Sequence, residues 1–147
     1  MTTIVKTKKS KSVYYDAFYP KERADRLLKN CLTLELEHHP RSRIGIMKRS
    51  IGFYSDINRV GYKYTGQTTK TQPIPPFLQK VLNRVNRKME TNFNEILVNR
   101  YEDGSEKIGA HSDNESELSA NKVVGISLGA TRKVRFRGIT TSGKNAI

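Results

Sequence analysis

His111 and Asp113 stand two residues apart at the end of the run Asn99–Asp113, N-R-Y-E-D-G-S-E-K-I-G-A-H-S-D. On an extended strand, side chains two apart project to the same face. An imidazole nitrogen and a carboxylate oxygen then reach adjacent positions on one metal ion. Such a pair is two-thirds of the two-histidine, one-carboxylate arrangement that leaves positions open on Fe(II) for a cosubstrate and oxygen. H-x-D alone is a common sequence, and a surface histidine beside the acidic run Asn114–Glu117 has the same spelling. Asn99 and Tyr101, also two apart, bring a carboxamide and a phenol, both donors to a carboxylate or keto oxygen. A cross-strand polar pair is their plainer reading.

The elements that must position these groups show in the periodicity. Pro20 followed by K-E-R-A-D-R-L-L-K-N, with Glu22 and Asp25 early and Lys29 late, predicts a short helix matched to its own dipole. C-L-T-L-E-L-E places Leu32, Leu34 and Leu36 on one face and predicts a half-buried strand. His38 to Gly66 is basic and aromatic, cut by Gly45, Gly52, Gly61 and Gly66 into short strands and turns. After Pro73, Pro75 and Pro76, the spacing of Leu78, Val81, Leu82, Val85 and Met89 predicts the strongest helix. E-I-L-V-N-R-Y then predicts a strand and E-D-G-S-E-K a turn. N-K-V-V-G-I-S-L-G-A-T and R-K-V-R-F-R-G predict two further strands. Residues 1–12, with four lysines between Lys6 and Lys11, read as a basic, disordered tail, and 13–147 as a single α+β domain.

Bulk composition narrows the partners. Lys and Arg outnumber Asp and Glu by 27 to 14, a net charge of +13, so the chain attracts polyanions through counterion release. No run nears the roughly 18 apolar residues of a membrane span, and the N-terminal lysines precede no apolar signal core. The one cysteine, Cys31, excludes an intramolecular disulfide and fits a reducing compartment. The expectation is an intracellular protein, of cytoplasm or nucleus, that is neither secreted nor membrane-bound.

F-N-E-I-L-V-N-R-Y-E-D-G-S-E-K-I-G-A-H-S-D-N-E, followed by V-V-G-I-S-L-G-A-T-R-K-V-R-F-R, closely resembles the AlkB-type Fe(II)/2-oxoglutarate dioxygenases. M-K-R-S-I-G-F-Y-S-D and G-Y-K-Y-T-G resemble that family's nucleotide-facing region, so the resemblance runs from about Tyr14 to Arg137. It implies a partial double-stranded β-helix, jelly-roll-like, with N-terminal helices packed on the sheet. It implies His111 and Asp113 as Fe(II) ligands, and Asn99 and Tyr101 as hydrogen-bonding residues for 2-oxoglutarate. It further implies Arg49 over the substrate base, with Tyr62 and Tyr64 in Y-x-Y-x-G offering a ring to an extruded base. The implied activity is oxidative demethylation of N-alkylated bases in DNA or RNA, with 2-oxoglutarate and O2 as cosubstrates.

The family places its second iron-binding histidine, and arginines for the far carboxylate of 2-oxoglutarate, downstream of H-x-D. Here His38 and His39 lie upstream of His111 and the sequence stops at Ile147. The sequence therefore reads as an oxygenase domain incomplete at its C-terminus: a truncated product, an incomplete reading frame, or a split protein with a second chain supplying the missing strands. Two alternatives stay open. One is a non-catalytic nucleic-acid-binding remnant lacking the distal ligand; the other keeps the oxygenase chemistry but acts on protein side chains.

Overall fold

The segment S-I-G-F-Y-S at 50–55 is buried at every position, and the strands and loops of the candidate site are arranged about it. The structure, a computed structural model, describes residues 1–6, 11–42, 45–57, 62–64, 67–111, 122–136, 138–139 and 145–146. In chain order the elements are β1 (Thr2–Lys6), β2 (Lys11–Tyr14), α1 (Lys21–Cys31), β3 (Arg41–Ser42), β4 (Gly45–Ile46), β5 (Ser50–Ser55) and β6 (Tyr62–Tyr64). They continue with β7 (Gln67–Thr69), β8 (Thr71–Gln72), α2 (Pro76–Met89), β9 (Glu95–Arg100), β10 (Gly138–Ile139) and β11 (Asn145–Ala146). Two compact units result: one joins Met1–Lys29 to Ser127–Ile147, the other is Asn30–Ile126.

The first unit opens with an antiparallel hairpin, β1 on β2, where a disordered tail was expected. The β-branched run Thr2, Thr3, Ile4, Val5 suits a pleated strand, and a bulge between Thr3 and Val5 resets its register. Lys6 opposite Lys11 is the penalty, two like charges at one end of the ladder. The expected helix is α1, whose first turn hangs from the Pro20 carbonyl through the Arg23 and Ala24 N–H groups, both at 3.0 Å. Gly129 sits at φ +81, a left-handed conformation, with a methyl of Leu28 3.4 Å from where a Cβ would stand. The short pair β10–β11 completes this unit.

In the second unit β5 is the middle strand of the order β8-β5-β9. It runs parallel to β8 and antiparallel to β9, pairing Ser50 with Arg100, Ile51 with Asn99 and so on to Ser55 with Glu95. Ile51, Phe53 and Tyr54 form the core with Met47 and with Leu78, Leu82 and Val85 from α2. Gly52 allows a close approach: a Cβ there would lie 2.6 Å from the Leu36 side chain and 3.0 Å from the Tyr54 ring, so Leu36 would have to shift. β3–β4 and β6–β7 are separate small hairpins.

Asn86 joins the end of α2 to the start of β9. Its Nδ2 donates to the Phe93 carbonyl at 2.8 Å, and its Oδ1 accepts from the Phe93 N–H at 2.7 Å and the Thr91 hydroxyl at 3.0 Å. The helix ends at Glu90 in a left-handed conformation, φ 52, whose N–H returns to the Asn86 carbonyl.

Three expectations change. C-L-T-L-E-L-E is not a strand: α1 runs on through Cys31, and the segment's pairing with β5 is a single bridge, Glu37 to Ile51. Turn bonds from the Thr33 and Leu34 N–H groups to the Asn30 and Cys31 carbonyls use backbone that a ladder would need. The stretches 122–131 and 132–136 form no strands either, and Val123, Val134 and Phe136 stay exposed. Alternation suits a residue run to a half-buried face, but a strand also needs a neighbour to satisfy its N–H and C=O groups. The described strands form one three-stranded and four two-stranded sheets, and the two facing sheets of a double-stranded β-helix are not among them. Mixed helix and sheet content, the coarser expectation, holds.

Replacing Asn86 with alanine removes both halves of its clasp on Phe93 at once. The expected loss is about 1–3 kcal/mol, read as a lower urea midpoint at unchanged m-value.

Candidate active site

The β5–β9 register decides which polar groups meet. Side chains of paired residues share a face, so Ile51 and Asn99 lie on one side and Ser50 and Arg100 on the other. Arg49, one residue ahead of β5, falls on the Asn99 side. Its Nε donates to Asn99 Oδ1 at 2.7 Å, and the side chain is 3% exposed as a residue. Arg49, which the resemblance places over the substrate base, is thus buried against Asn99, a residue expected to hold 2-oxoglutarate. Burial follows from the ladder, because the backbone before Ser50 is already drawn into the sheet.

The chain leaving β9 is folded back and tied down. Tyr101 is half-buried, and the Lys107 N–H donates to the Lys48 carbonyl at 3.0 Å, beside Arg49 in sequence. Within the turn, Asp103 Oδ1 accepts from the N–H and hydroxyl of Ser105, each at 2.7 Å. Glu106, 5% exposed, accepts from the Glu102 N–H at 2.6 Å through one carboxylate oxygen and from His39 Nε2 through the other. The His39 ring stacks on His38 at 4.0 Å, and His38 Nδ1 shares a 3.0 Å hydrogen bond with Ser50 Oγ. His38, His39, Ser50 and Glu106 thus fasten the loop that runs from Tyr101 to His111. Sequence reading gave Glu106 only to a turn, and nothing in the local pattern links it to a histidine 67 residues away.

His111 is exposed and sits in irregular backbone rather than on the expected strand. Its Nδ1 lies 2.8 Å from the Gly109 carbonyl oxygen. A carbonyl only accepts, so Nδ1 carries the proton, and the lone pair of the neutral form of the ring then falls on Nε2. That is the state a metal-binding imidazole needs, oriented by an outer hydrogen bond. In this respect His111 fits an iron ligand. Asp113 lies outside the described residues. Tyr62 and Tyr64 fall on β6, paired with Thr69 and Gln67, and their side chains lie outside the described set. Among the described residues no three His, Cys, Asp or Glu side chains gather as a metal cluster, and no helix is long and apolar enough to cross a membrane.

The arrangement so far is a short sheet edge carrying a carboxamide and a phenol, followed by a fastened loop ending in an oriented imidazole. The sequence pattern of the 2OG-Fe(II) oxygenase superfamily matches residues 11–146, and the chain belongs to that superfamily. Within it the similarity is to AlkB-type proteins. Over 85 residues the chain is 38% identical to the DNA oxidative demethylase ALKBH2 of Bos taurus, a match covering 57% of this chain and 31% of that protein. The Mus musculus protein of the same name is 39% identical over 84 residues, 56% of this chain and 35% of the relative. The Homo sapiens protein is 35% identical over 85 residues, 57% and 33%. The matched stretch therefore spans about a third of the length of these curated relatives.

The fastening of the loop has a pH signature. The Glu102 N–H, and after it His39, hold the Glu106 carboxyl below the ordinary glutamate range. A carboxyl with a lowered folded-state pKa contributes stability that is complete above its unfolded value, about 4.3, and is lost as pH falls through the lowered one. Glu106→Gln is expected to lower the melting temperature at neutral pH. The gap from the unsubstituted chain should close as the pH is taken below about 4, followed by thermal melts at stepped pH.

Proposed function

We propose that the chain carries the iron- and cosubstrate-binding segment of an oxygenase that demethylates N-alkylated bases in nucleic acid. The observation that carries this reading is the sequence Asn99, Tyr101, His111 on one strand and its fastened loop, with the His111 ring oriented by Gly109 as a metal-binding imidazole requires. DNA is the polymer favoured by the name of the relatives, and a net charge of +13 suits either nucleic acid. The same reading assigns residues 13–147 to one oxygenase domain of double-stranded β-helix type.

His111 and Asp113 would hold Fe(II). Bound there, iron with 2-oxoglutarate and O2 supplies an oxidation that hydroxylates the alkyl carbon, releasing succinate, CO2 and, from a methyl group, formaldehyde. The residues of the chain orient and exclude. Asn99 and Tyr101 donate hydrogen bonds to the cosubstrate from a half-buried strand, where a donor acts more strongly than in water. The loop from Tyr101 to His111 fixes the spacing between cosubstrate donors and metal ligand through Glu106, Asp103 and Lys107. Tyr62 and Tyr64 are assigned to stacking on a base taken out of the helix.

The test is turnover by the purified chain with Fe(II), 2-oxoglutarate and an N-methylated oligonucleotide, scored as succinate and formaldehyde in equal amounts. His111→Ala should lose more than the roughly 10- to 100-fold that losing an outer-shell partner costs. Unchanged turnover would refute the ligand assignment. Binding of the oligonucleotide that falls steeply with salt, with no turnover under any loading, would instead support a non-catalytic nucleic-acid-binding protein.

A further inference from the structure

Arg49 and Asn99 are 50 residues apart in sequence and joined by one short hydrogen bond in the fold. The chemistry of the two groups makes that bond one-way. A guanidinium has donors and no acceptor, whereas a carboxamide has an oxygen that accepts and a nitrogen that donates. Arg49 Nε therefore selects one of the two flips of the Asn99 amide: oxygen toward Arg49, NH2 away from it. The opposite flip would set two donors head to head at 2.7 Å inside the protein.

From this geometry we infer that Arg49 is a positioning residue for the cosubstrate, locking the Asn99 carboxamide so that its NH2 is presented to the 2-oxoglutarate carboxylate. The inference rests on the reading of Asn99 as a cosubstrate donor. It follows because an anion needs a donor: with the amide reversed, Asn99 would offer an oxygen to a carboxylate. Arg49 is itself held. Its backbone lies between Lys48, whose carbonyl takes the Lys107 N–H, and Ser50, which is bonded to His38 and paired with Arg100. A guanidinium anchored in this way keeps its donor in place before the cosubstrate arrives, so no ordering is left to be done on binding.

Two measurements on the full chain test it. The first needs no cosubstrate: in the 15N-labelled protein, the Asn99 side-chain NH2 should give a sharp, ordered pair of resonances. Arg49→Met should broaden that pair while the backbone spectrum stays native. An Asn99 amide equally ordered in a natively folded Arg49→Met protein overturns the proposal.

The second is a double-mutant cycle on 2-oxoglutarate affinity, by calorimetry under anaerobic conditions with Fe(II). Arg49→Met and Asn99→Ala should each weaken binding about tenfold, the factor that about 1.4 kcal/mol represents. Together they should still weaken it about tenfold, because Arg49 acts through Asn99. A combined loss of about a hundredfold means that Arg49 touches the anion itself, and overturns the proposal while leaving the reading of Asn99 intact. Unchanged affinity in Asn99→Ala alone overturns that reading, and the proposal with it. Should Arg49→Met fail to fold, Asn99→Asp decides the matter. Its carboxylate still accepts from Arg49 but presents no donor, so a folded Asn99→Asp chain that binds 2-oxoglutarate as tightly as the unsubstituted one also overturns the proposal.

Discussion

The antiparallel ladder between Ser50–Ser55 and Glu95–Arg100 is the constraint from which the geometry of the second unit follows. A strand buried along its whole length has no water to satisfy its backbone, so it must be paired on both edges. β9 supplies one edge over six residue pairs; β8 and the Glu37 bridge share the other. Because side chains alternate, a slip of one residue would turn Asn99 from the Arg49 side to the opposite face. The pairing of Ile51 with Asn99 is thus a structural statement and a chemical one at once.

Outside this ladder the site is held by polar links rather than by apolar burial. Met47, Ile51, Phe53, Tyr54, Leu78, Leu82 and Val85 form the core, whereas the loop after Tyr101 is fastened through Glu106, Asp103 and Lys107. Such bonds contribute modestly in net terms but are costly to leave unmade once buried. Few apolar contacts, with polar links that are buried at Glu106 and exposed at Asp103 and Lys107, describe a segment whose local opening is less costly than global unfolding. A loop proposed to admit a cosubstrate and a metal is suited to that balance. Burial also raises the pKa values of the Tyr54 phenol, in the core, and of the half-buried Cys31 thiol at the end of α1.

Much of the local structure was legible. The α2 spacing of Leu78, Val81, Leu82 and Val85 gave its buried face, and Pro75–Pro76 its start, because helical periodicity and proline geometry act within a few residues. β9 was legible as E-I-L-V-N-R. C-L-T-L-E-L-E misled because alternation cannot reveal that α1 continues through Cys31 and uses the following N–H groups in turns. The lysine-rich N-terminus misled in the other direction: charge suggested a tail, while β-branched residues with a partner strand at Lys11–Tyr14 formed a hairpin.

The sequence by itself determined the lineage and the order of chemical groups. Asn99, Tyr101, His111 and Asp113 follow one another at spacings that the chain fixes covalently, and the superfamily pattern matches residues 11–146, the stretch that contains them. What only the tertiary structure decided is which distant groups serve them. Arg49 reaches Asn99 and His39 reaches Glu106 across 50 and 67 residues, separations at which neither periodicity nor motif carries information. The physical reason is that hydrogen-bond donors and acceptors find each other through space once burial removes water. The β5–β9 register, not the local sequence, sets which of them are brought within reach.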